Sequence, residues 1–263
     1  MSYKWEFSIS AGSYYPSLTE RFGGNDICLA YENDDLGMQF FGFSLHIDAL
    51  SEPSHVAQRL YSLQVLLNGA LRVSSGHTNM IPIMFHQFSL CNGGSNHNVY
   101  AESIEESPFD LNPSIDKDLP YWKDPKNNYS SYILNKSKYD KVIRELLFLV
   151  GMISTTNSAT ERVLTWSTLY KILDCVKHYS KDFELPYDTF ADKPRINEFT
   201  AACNNMSILG LNARHGPSGN KPPKKVMTCL NEASNLIVSL SQSFMQHYRE
   251  SLFGYTEQLD IES

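Results

Sequence analysis

The sequence predicts an α+β protein in which a mixed sheet with one packed helix precedes a bundle of four helices. Before residue 105, apolar residues alternate with polar ones in several stretches, as in half-buried strands. From Ser137 onward they recur every three or four residues, as in amphipathic helices. Between these parts, prolines interrupt a polar stretch and end regular structure. The predicted parts are a front domain at 1–105, a linker at 106–136, a helical bundle at 137–250 and an acidic tail at 251–263.

The front domain is predicted to contain about five strands and one helix. Residues 3–11 alternate with period two, and residues 27–31 and 38–47 flank a turn rich in Asn, Asp and Gly, which favours a hairpin. A second pair of strands, 81–90 and 98–104, flanks Asn92-Gly93-Gly94. Between the two pairs, Glu52 to Leu71 has the helical period, with Pro53 in its first turn and Asn68-Gly69 expected to loosen its end.

Four amphipathic helices are predicted in the back half. The first covers the apolar positions between Ser137 and Ile153, and the second runs from Ala159 to Tyr179 with Ser158 as its N-cap. The third begins at Pro194 and continues through Met206, and the fourth follows a cap at Thr228. Helices of this length with short connections pack most simply as a bundle.

Composition narrows the function classes. The formal net charge of −7 does not attract nucleic acid by its overall field, so a nucleic-acid contact needs a local basic patch. The five cysteines are widely separated and form no C-x-x-C pair, which argues against a disulfide framework or a zinc knuckle. The N-terminal residues show no secretory signal, and the most apolar stretch, 146–153, is too short to span a bilayer. We therefore expect a cytoplasmic protein without a cofactor.

The segment from Asn204 to Thr228 is basic and contains no acidic residue. It interrupts two predicted helices, and its charged positions are Arg214, His215, Lys221, Lys224 and Lys225. Because an arginine offers a forked set of donors to phosphate oxygens and a histidine can transfer a proton near neutral pH, this segment is a candidate phosphate contact. The alternative is a solvated loop whose lysines keep the protein soluble and whose Arg214 pairs with a nearby carboxylate.

Three stretches of the back half resemble the HEPN superfamily, small helical bundles that include RNA-cleaving toxins and abortive-infection proteins. They are Trp166-Ser167-Thr168-Leu169-Tyr170-Lys171, Asn212-x-Arg214-His215-Gly216 and Met227-Thr228…Asn231-Glu232-Ala233. The resemblance covers about residues 137–250 and implies a HEPN-like four-helix bundle. The usual catalytic signature of that family is an arginine followed, after four to six residues, by a histidine. Here the corresponding positions before His215 hold Ile208, Leu209 and Gly210, and Arg214 stands directly beside the histidine.

Two functions follow from this resemblance. The first is a non-catalytic binding component of a bacterial defence or regulatory system, whose loop contacts RNA or a protein partner through Asn212, Lys221, Lys224 and Lys225. The alternative is a metal-independent ribonuclease effector in abortive infection, with Arg214 holding the scissile phosphate and His215 as general acid or base. The resemblance also implies a homodimer through the helical half. Whether the protein is an enzyme stays open at this point.

Two further patterns are weaker. Arg72-Val73-Ser74-Ser75-Gly76-His77 fits the arginine-to-histidine spacing literally, but it follows the front-half helix, outside the predicted bundle, and is interpreted as a chance match. The separations of His178, His215 and His247 do not place two of them on one helix face. No metal site is therefore predicted.

Overall fold

The computed structural model describes residues 3–10, 15–24, 26–34, 37–111, 128–154, 158–217 and 224–253. It confirms the α+β class. The chain divides into two compact units. Unit 1 comprises Met1–Leu71 and Met80–Leu147, and unit 2 comprises Arg72–Asn79 and Phe148–Ser263.

Unit 1 contains a five-stranded sheet. The strands are β1 (Trp5–Ser10), β2 (Cys28–Asp34), β3 (Gly37–Phe43), β4 (Met84–Leu90) and β5 (His97–Asn98), in the order β2-β3-β1-β4-β5. Every described pair is antiparallel, so the prediction of a mixed sheet is wrong in this respect. β2 and β3 form the predicted hairpin and are therefore antiparallel. β1 lies between β3 and β4, and both of these strands run opposite to it. Trp5, Phe7 and Ile9 of β1 point into the core, as their period-two spacing predicts.

The long helix α2 (Pro53–Ser75) packs on this sheet through buried polar side chains as well as apolar ones. The backbone N–H of Phe85 donates to Gln64 Oε1 at 2.6 Å, and the N–H of Ile83 donates to Asn68 Oδ1 at 2.9 Å. These bonds satisfy backbone donors at the start of β4 that would otherwise be buried without a partner.

Gly69 does not loosen the end of α2, which continues to Ser75. A Cβ atom at position 69 would collide with the backbone carbonyl of Leu147. The glycine is therefore explained by close packing of α2 against the helix that carries Leu147, α4 (Lys141–Gly151). The prediction was wrong because a helix-breaking glycine and a close-approach glycine have the same local sequence signal.

Unit 1 also contains short elements that sequence periodicity does not reveal. Helix α1 spans Tyr15–Thr19, and α3 spans Tyr129–Lys136, within the segment predicted as a linker; residues 112–127 of that segment lie outside the described residues. The predicted strand at 98–104 is wrong beyond Asn98, since β5 contains two residues. The end of the predicted strand at 38–47 is a 3-10 turn, Leu45–Ile47.

A buried polar cluster centred on Asp26 joins these segments. His46 Nε2 lies 3.0 Å from Asp26 Oδ1, Lys138 Nζ pairs with the same oxygen, and Asn135 Nδ2 donates to Oδ2 at 3.0 Å. His46 Nδ1 accepts from the backbone N–H of Asp110 at 3.0 Å, which assigns the ring proton to Nε2. Burial raises the pKa of the Asp26 carboxyl, but the hydrogen bond from His46 and the charge of Lys138 outweigh burial, and the net pKa lies below its usual value.

Unit 2 is helical. Its main elements are the C-terminal part of α4, α5 (Ala159–Asp182), α7 (Lys193–Cys203) and α9 (Leu230–Phe253), with short helices α6 (Tyr187–Phe190) and α8 (Met206–Leu209). The four long helices predicted from the sequence are present, although the third ends at Cys203 because Asn205 caps a separate helix, α8. Phe244 and Tyr248 of α9 stack with ring centroids 5.5 Å apart and contact α5 through Tyr179 and its neighbour Phe183. That these helices form a HEPN-like bundle stays a prediction.

Candidate functional site

The candidate loop connects α8 to α9 within unit 2. After α8, Gly210 has a φ of +58°, a value that glycine adopts without strain, and a 3-10 turn covers Gly210–Asn212. Asn212 Nδ2 donates to the carbonyl of Leu209 at 3.1 Å, so this side chain, predicted to bind RNA or a partner, also stabilises the turn. Ala213 to Pro217 follow, and residues 218–223, which include Lys221, lie outside the described residues.

Arg214 is anchored at its backbone and held at its side chain. Its N–H donates to the carbonyl of Cys203 at 2.6 Å, at the end of α7. Its guanidinium carbon Cζ lies 4.2 Å from the centroid of the Tyr170 ring on α5, a cation–π contact. Its Nη1 lies 4.0 Å from Asp174 Oδ2, one helical turn further along α5. Sequence reasoning identified Arg214 but not these two partners.

The Tyr170 ring belongs to an aromatic group inside unit 2. Its centroid lies 6.2 Å from that of Phe199 on α7, and Phe199 stacks on Trp166 at 5.9 Å. Phe199 and Trp166 are buried, whereas Tyr170 is half-buried and carries Arg214 on its outer side. Tyr170 lies in the stretch of α5 that carries the family resemblance, but nothing in that stretch indicates that its ring contacts Arg214.

Three other predicted site residues that the structure describes, His215, Lys224 and Lys225, are exposed. His215, adjacent to Arg214, is exposed, and within the described part of the chain its ring has no hydrogen-bond partner. Lys224 and Lys225, which follow residues 218–223 in the sequence, are also exposed. The structure therefore brings Arg214 to Tyr170 and Asp174, and it leaves His215, Lys224 and Lys225 in solvent.

Cys203, whose carbonyl holds Arg214, is not a candidate nucleophile. Burial raises the pKa of its thiol to about 12, and the nearby charge of Arg214 lowers it only in part. Because the thiolate is the reactive form, this cysteine is inert at neutral pH. Among the described residues there is also no group of three or more His, Cys, Asp and Glu side chains that could hold a metal ion.

The literal arginine-to-histidine match at Arg72 belongs to unit 2, and its arginine lies within α2. Arg72 is 2% exposed. Its Nη1 donates to the carbonyls of Val150, Gly151 and Ile153 at 3.0, 3.1 and 2.6 Å. These carbonyls are at the C-terminal end of α4, where a cation satisfies acceptors that have no partner within the helix. Arg72 is therefore a structural residue.

Comparisons with protein-family models, with curated proteins and with solved structures find no match to this chain. The resemblance to the HEPN superfamily stays a prediction. Of the helices that the structure describes, none is long and apolar enough to cross a membrane.

Proposed function

We propose that unit 2 binds RNA through the phosphate backbone, with Arg214 as the principal contact. The observation that carries this proposal is an exposed guanidinium stacked on an aromatic ring, whose ion-pair partner lies at the 4.0 Å limit of such a contact. One face of the group is packed on Tyr170, and its N–H donors remain accessible to phosphate oxygens.

Weak pairing with Asp174 supports this role. The side chain of Arg214 is 46% exposed and that of Asp174 is 53% exposed, so water screens their attraction. Exposed pairs of this kind contribute about 0–1 kcal/mol to stability, too little to explain the arginine by the fold alone. The oxygens of two neighbouring phosphates are better acceptors for a planar guanidinium than the distant carboxylate of Asp174.

The sequence around Arg214 favours a polyanion over a single acidic side chain. His215, Lys224 and Lys225 are exposed in the same acid-free segment, and the chain as a whole carries a net charge of −7. A local cationic segment attracts RNA, while the negative charge of the rest of the protein repels it. The resemblance to a superfamily rich in RNA-cleaving proteins agrees with this ligand class. A place in bacterial defence or regulation rests on the same resemblance.

The test measures binding of a fluorescently labelled single-stranded RNA to the wild-type protein and to two variants. Arg214→Ala should weaken binding about tenfold, the effect of losing one charge-assisted hydrogen-bonded contact. Arg21→Ala removes an exposed arginine from unit 1 and should leave binding as in the wild type. Equal affinities for all three proteins would contradict the proposal. If Arg214→Ala instead abolished capture of a protein partner, the loop would be a protein-docking site.

A second assay decides between binding and catalysis. The wild-type protein is incubated with RNA in the presence of a chelator, beside His215→Ala. Intact RNA in both reactions supports the binding component. Cleavage that survives the chelator and is lost in His215→Ala, with RNA affinity retained, would establish the ribonuclease alternative, in which His215 transfers the proton.

Sedimentation of the protein at micromolar concentration tests the predicted homodimer, which a composite cleavage site would need.

A further inference from the structure

Arg214 lies against two side chains of α5 that are four residues apart. Residues at positions i and i+4 of a helix share a face, so Tyr170 and Asp174 meet the same guanidinium. Tyr170 contacts its plane at 4.2 Å, and Asp174 approaches its Nη1 at 4.0 Å. The two contacts differ in kind, since the ring packs against the group while the carboxylate attracts its charge.

The ring fixes where the guanidinium lies. Tyr170 packs on Phe199, which stacks on the buried Trp166, so the ring has little freedom to move. The backbone of Arg214 is fixed separately by the bond from its N–H to the Cys203 carbonyl. With both ends of the side chain held, less conformational entropy is lost when an anion binds.

Asp174 opposes the binding of an anion to Arg214, whereas Tyr170 favours it. A carboxylate beside Nη1 stands where a phosphate oxygen would approach, and a phosphate bound there would be repelled by it. Because both side chains are about half exposed, the carboxylate can rotate away from the guanidinium into water at small cost. RNA binding therefore has to displace or tolerate this negative charge.

We infer that Tyr170 is a positioning residue for Arg214 and that Asp174 competes with phosphate for the same guanidinium. This inference rests on the proposed function, and it assigns each α5 residue an effect of opposite sign on RNA affinity. Replacing Tyr170 by an aliphatic residue weakens binding, and neutralising Asp174 strengthens it.

The test for Asp174 compares two neutralising changes on the same helix. Asp174→Asn should tighten binding of single-stranded RNA about twofold to fivefold, the range for an exposed ion pair. Asp182→Asn is the matched control, since Asp182 is also exposed and pairs with His178 rather than with Arg214. In a protein that already carries Arg214→Ala, Asp174→Asn should have no such effect, because the competed group is gone.

The test for Tyr170 uses rescue by a conservative variant. Tyr170→Leu should weaken RNA binding about twofold to fivefold through loss of the cation–π contact, whereas Tyr170→Phe keeps the ring and should bind as the wild type. A contribution from the hydroxyl alone would instead weaken Tyr170→Phe and Tyr170→Leu equally, because both variants lack it. Thermal melts identify a folding defect in Tyr170→Leu. If there is one, the RNA affinities of Tyr170→Phe and Asp174→Asn still test the inference.

The outcomes separate this inference from the proposed function. If Arg214→Ala binds RNA as well as the wild type does, the proposed function fails. If Arg214→Ala binds weakly but Asp174→Asn matches Asp182→Asn, or gains affinity also in the Arg214→Ala background, the competition is refuted. Equal weakening by Tyr170→Phe and Tyr170→Leu would refute positioning by the ring.

Discussion

Each unit contains an aspartate that faces a cation, and the two pairs differ in burial. The side chain of Asp26 in unit 1 is 11% exposed and is surrounded by Lys138, His46 and Asn135. The side chain of Asp174 in unit 2 is 53% exposed and lies 4.0 Å from Nη1 of Arg214. A buried carboxylate must be fully bonded, because leaving one partner unmatched costs several kcal/mol. An exposed one contributes little to stability, which leaves its cation available to a ligand.

The difference also concerns what each pair connects. Asp26 joins segments far apart in the sequence, since Asn135 follows it by 109 residues, and so it holds unit 1 together. Arg214 contacts α5 from a loop in which His215, Lys224 and Lys225 are exposed. We therefore assign the Asp26 cluster to stability and propose binding for the surface formed by Arg214, Tyr170 and Asp174 (the Arg214 surface).

The largest effect is expected from Asp26→Asn. This change leaves the Lys138 ammonium buried without its carboxylate, and it replaces one acceptor oxygen by an amide N–H donor that faces the donor of either Asn135 or His46. The free energy of unfolding should fall by about 3–5 kcal/mol. Urea denaturation followed by circular dichroism measures it. A loss below about 1 kcal/mol would mean that the buried cluster is no more important than the exposed pair.

The pH dependence of unfolding sharpens the same point. The pKa of the Asp26 carboxyl is lowered in the folded protein, so the unfolded state takes up the proton first as pH falls. Its contribution is fully present above about pH 4, near the unfolded pKa, and is lost progressively as pH falls through the folded pKa. Urea melts between pH 7 and pH 3 should show the stability gap between wild type and Asp26→Asn narrowing below about pH 4. A constant gap would contradict the assignment.

Gly69→Ala should have an intermediate effect. The added methyl group meets the Leu147 carbonyl, and overpacking of this kind costs about 1–3 kcal/mol, in part offset by the better helix propensity of alanine. Gly216→Ala is the matched control, because nothing lies within 4 Å of a Cβ at that position. Similar melting temperatures for both variants would show that α2 and α4 are not constrained by this contact.

The smallest effect on stability is expected from Asp174→Asn. Its partner is exposed, so the free energy of unfolding should change by less than about 1 kcal/mol. The same aspartate-to-asparagine change is thus expected to be severe at position 26 and mild at position 174. Comparable losses in urea denaturation would remove the distinction between a structural and a functional pair.

The sequence predicted those features that depend on local pattern. Period-two alternation located β1 and the β2–β3 hairpin, and period-three-to-four spacing located α2, α4, α5, α7 and α9. Helix α3 was missed because its support is long-range: Asn128 Nδ2 donates to the Arg21 carbonyl at 2.6 Å, and Asn135 bonds to Asp26. The strand predicted at 98–104 was too long, because pairing at a sheet edge depends on the neighbouring strand rather than on propensity.

The site was predicted only in part for a similar reason. Arg214 and His215 could be selected because they lie in a basic stretch that interrupts two helices. Tyr170 and Asp174 lie 44 and 40 residues earlier, on a helix whose spacing has an ordinary amphipathic explanation. Only the fold brings them to Arg214, and no local pattern marks an aromatic residue that supports a cation.

The most direct test of the account is the salt dependence of RNA binding by Arg214→Ala. Affinity for a single-stranded RNA is measured between about 50 and 200 mM salt for the wild type, Arg214→Ala and the unit 1 control Arg21→Ala. Loss of one phosphate contact should reduce the slope of log affinity against log salt by about 0.7 in Arg214→Ala, with the control keeping the wild-type slope. A slope unchanged by Arg214→Ala, or reduced equally by Arg21→Ala, would contradict the assignment of RNA binding to the Arg214 surface.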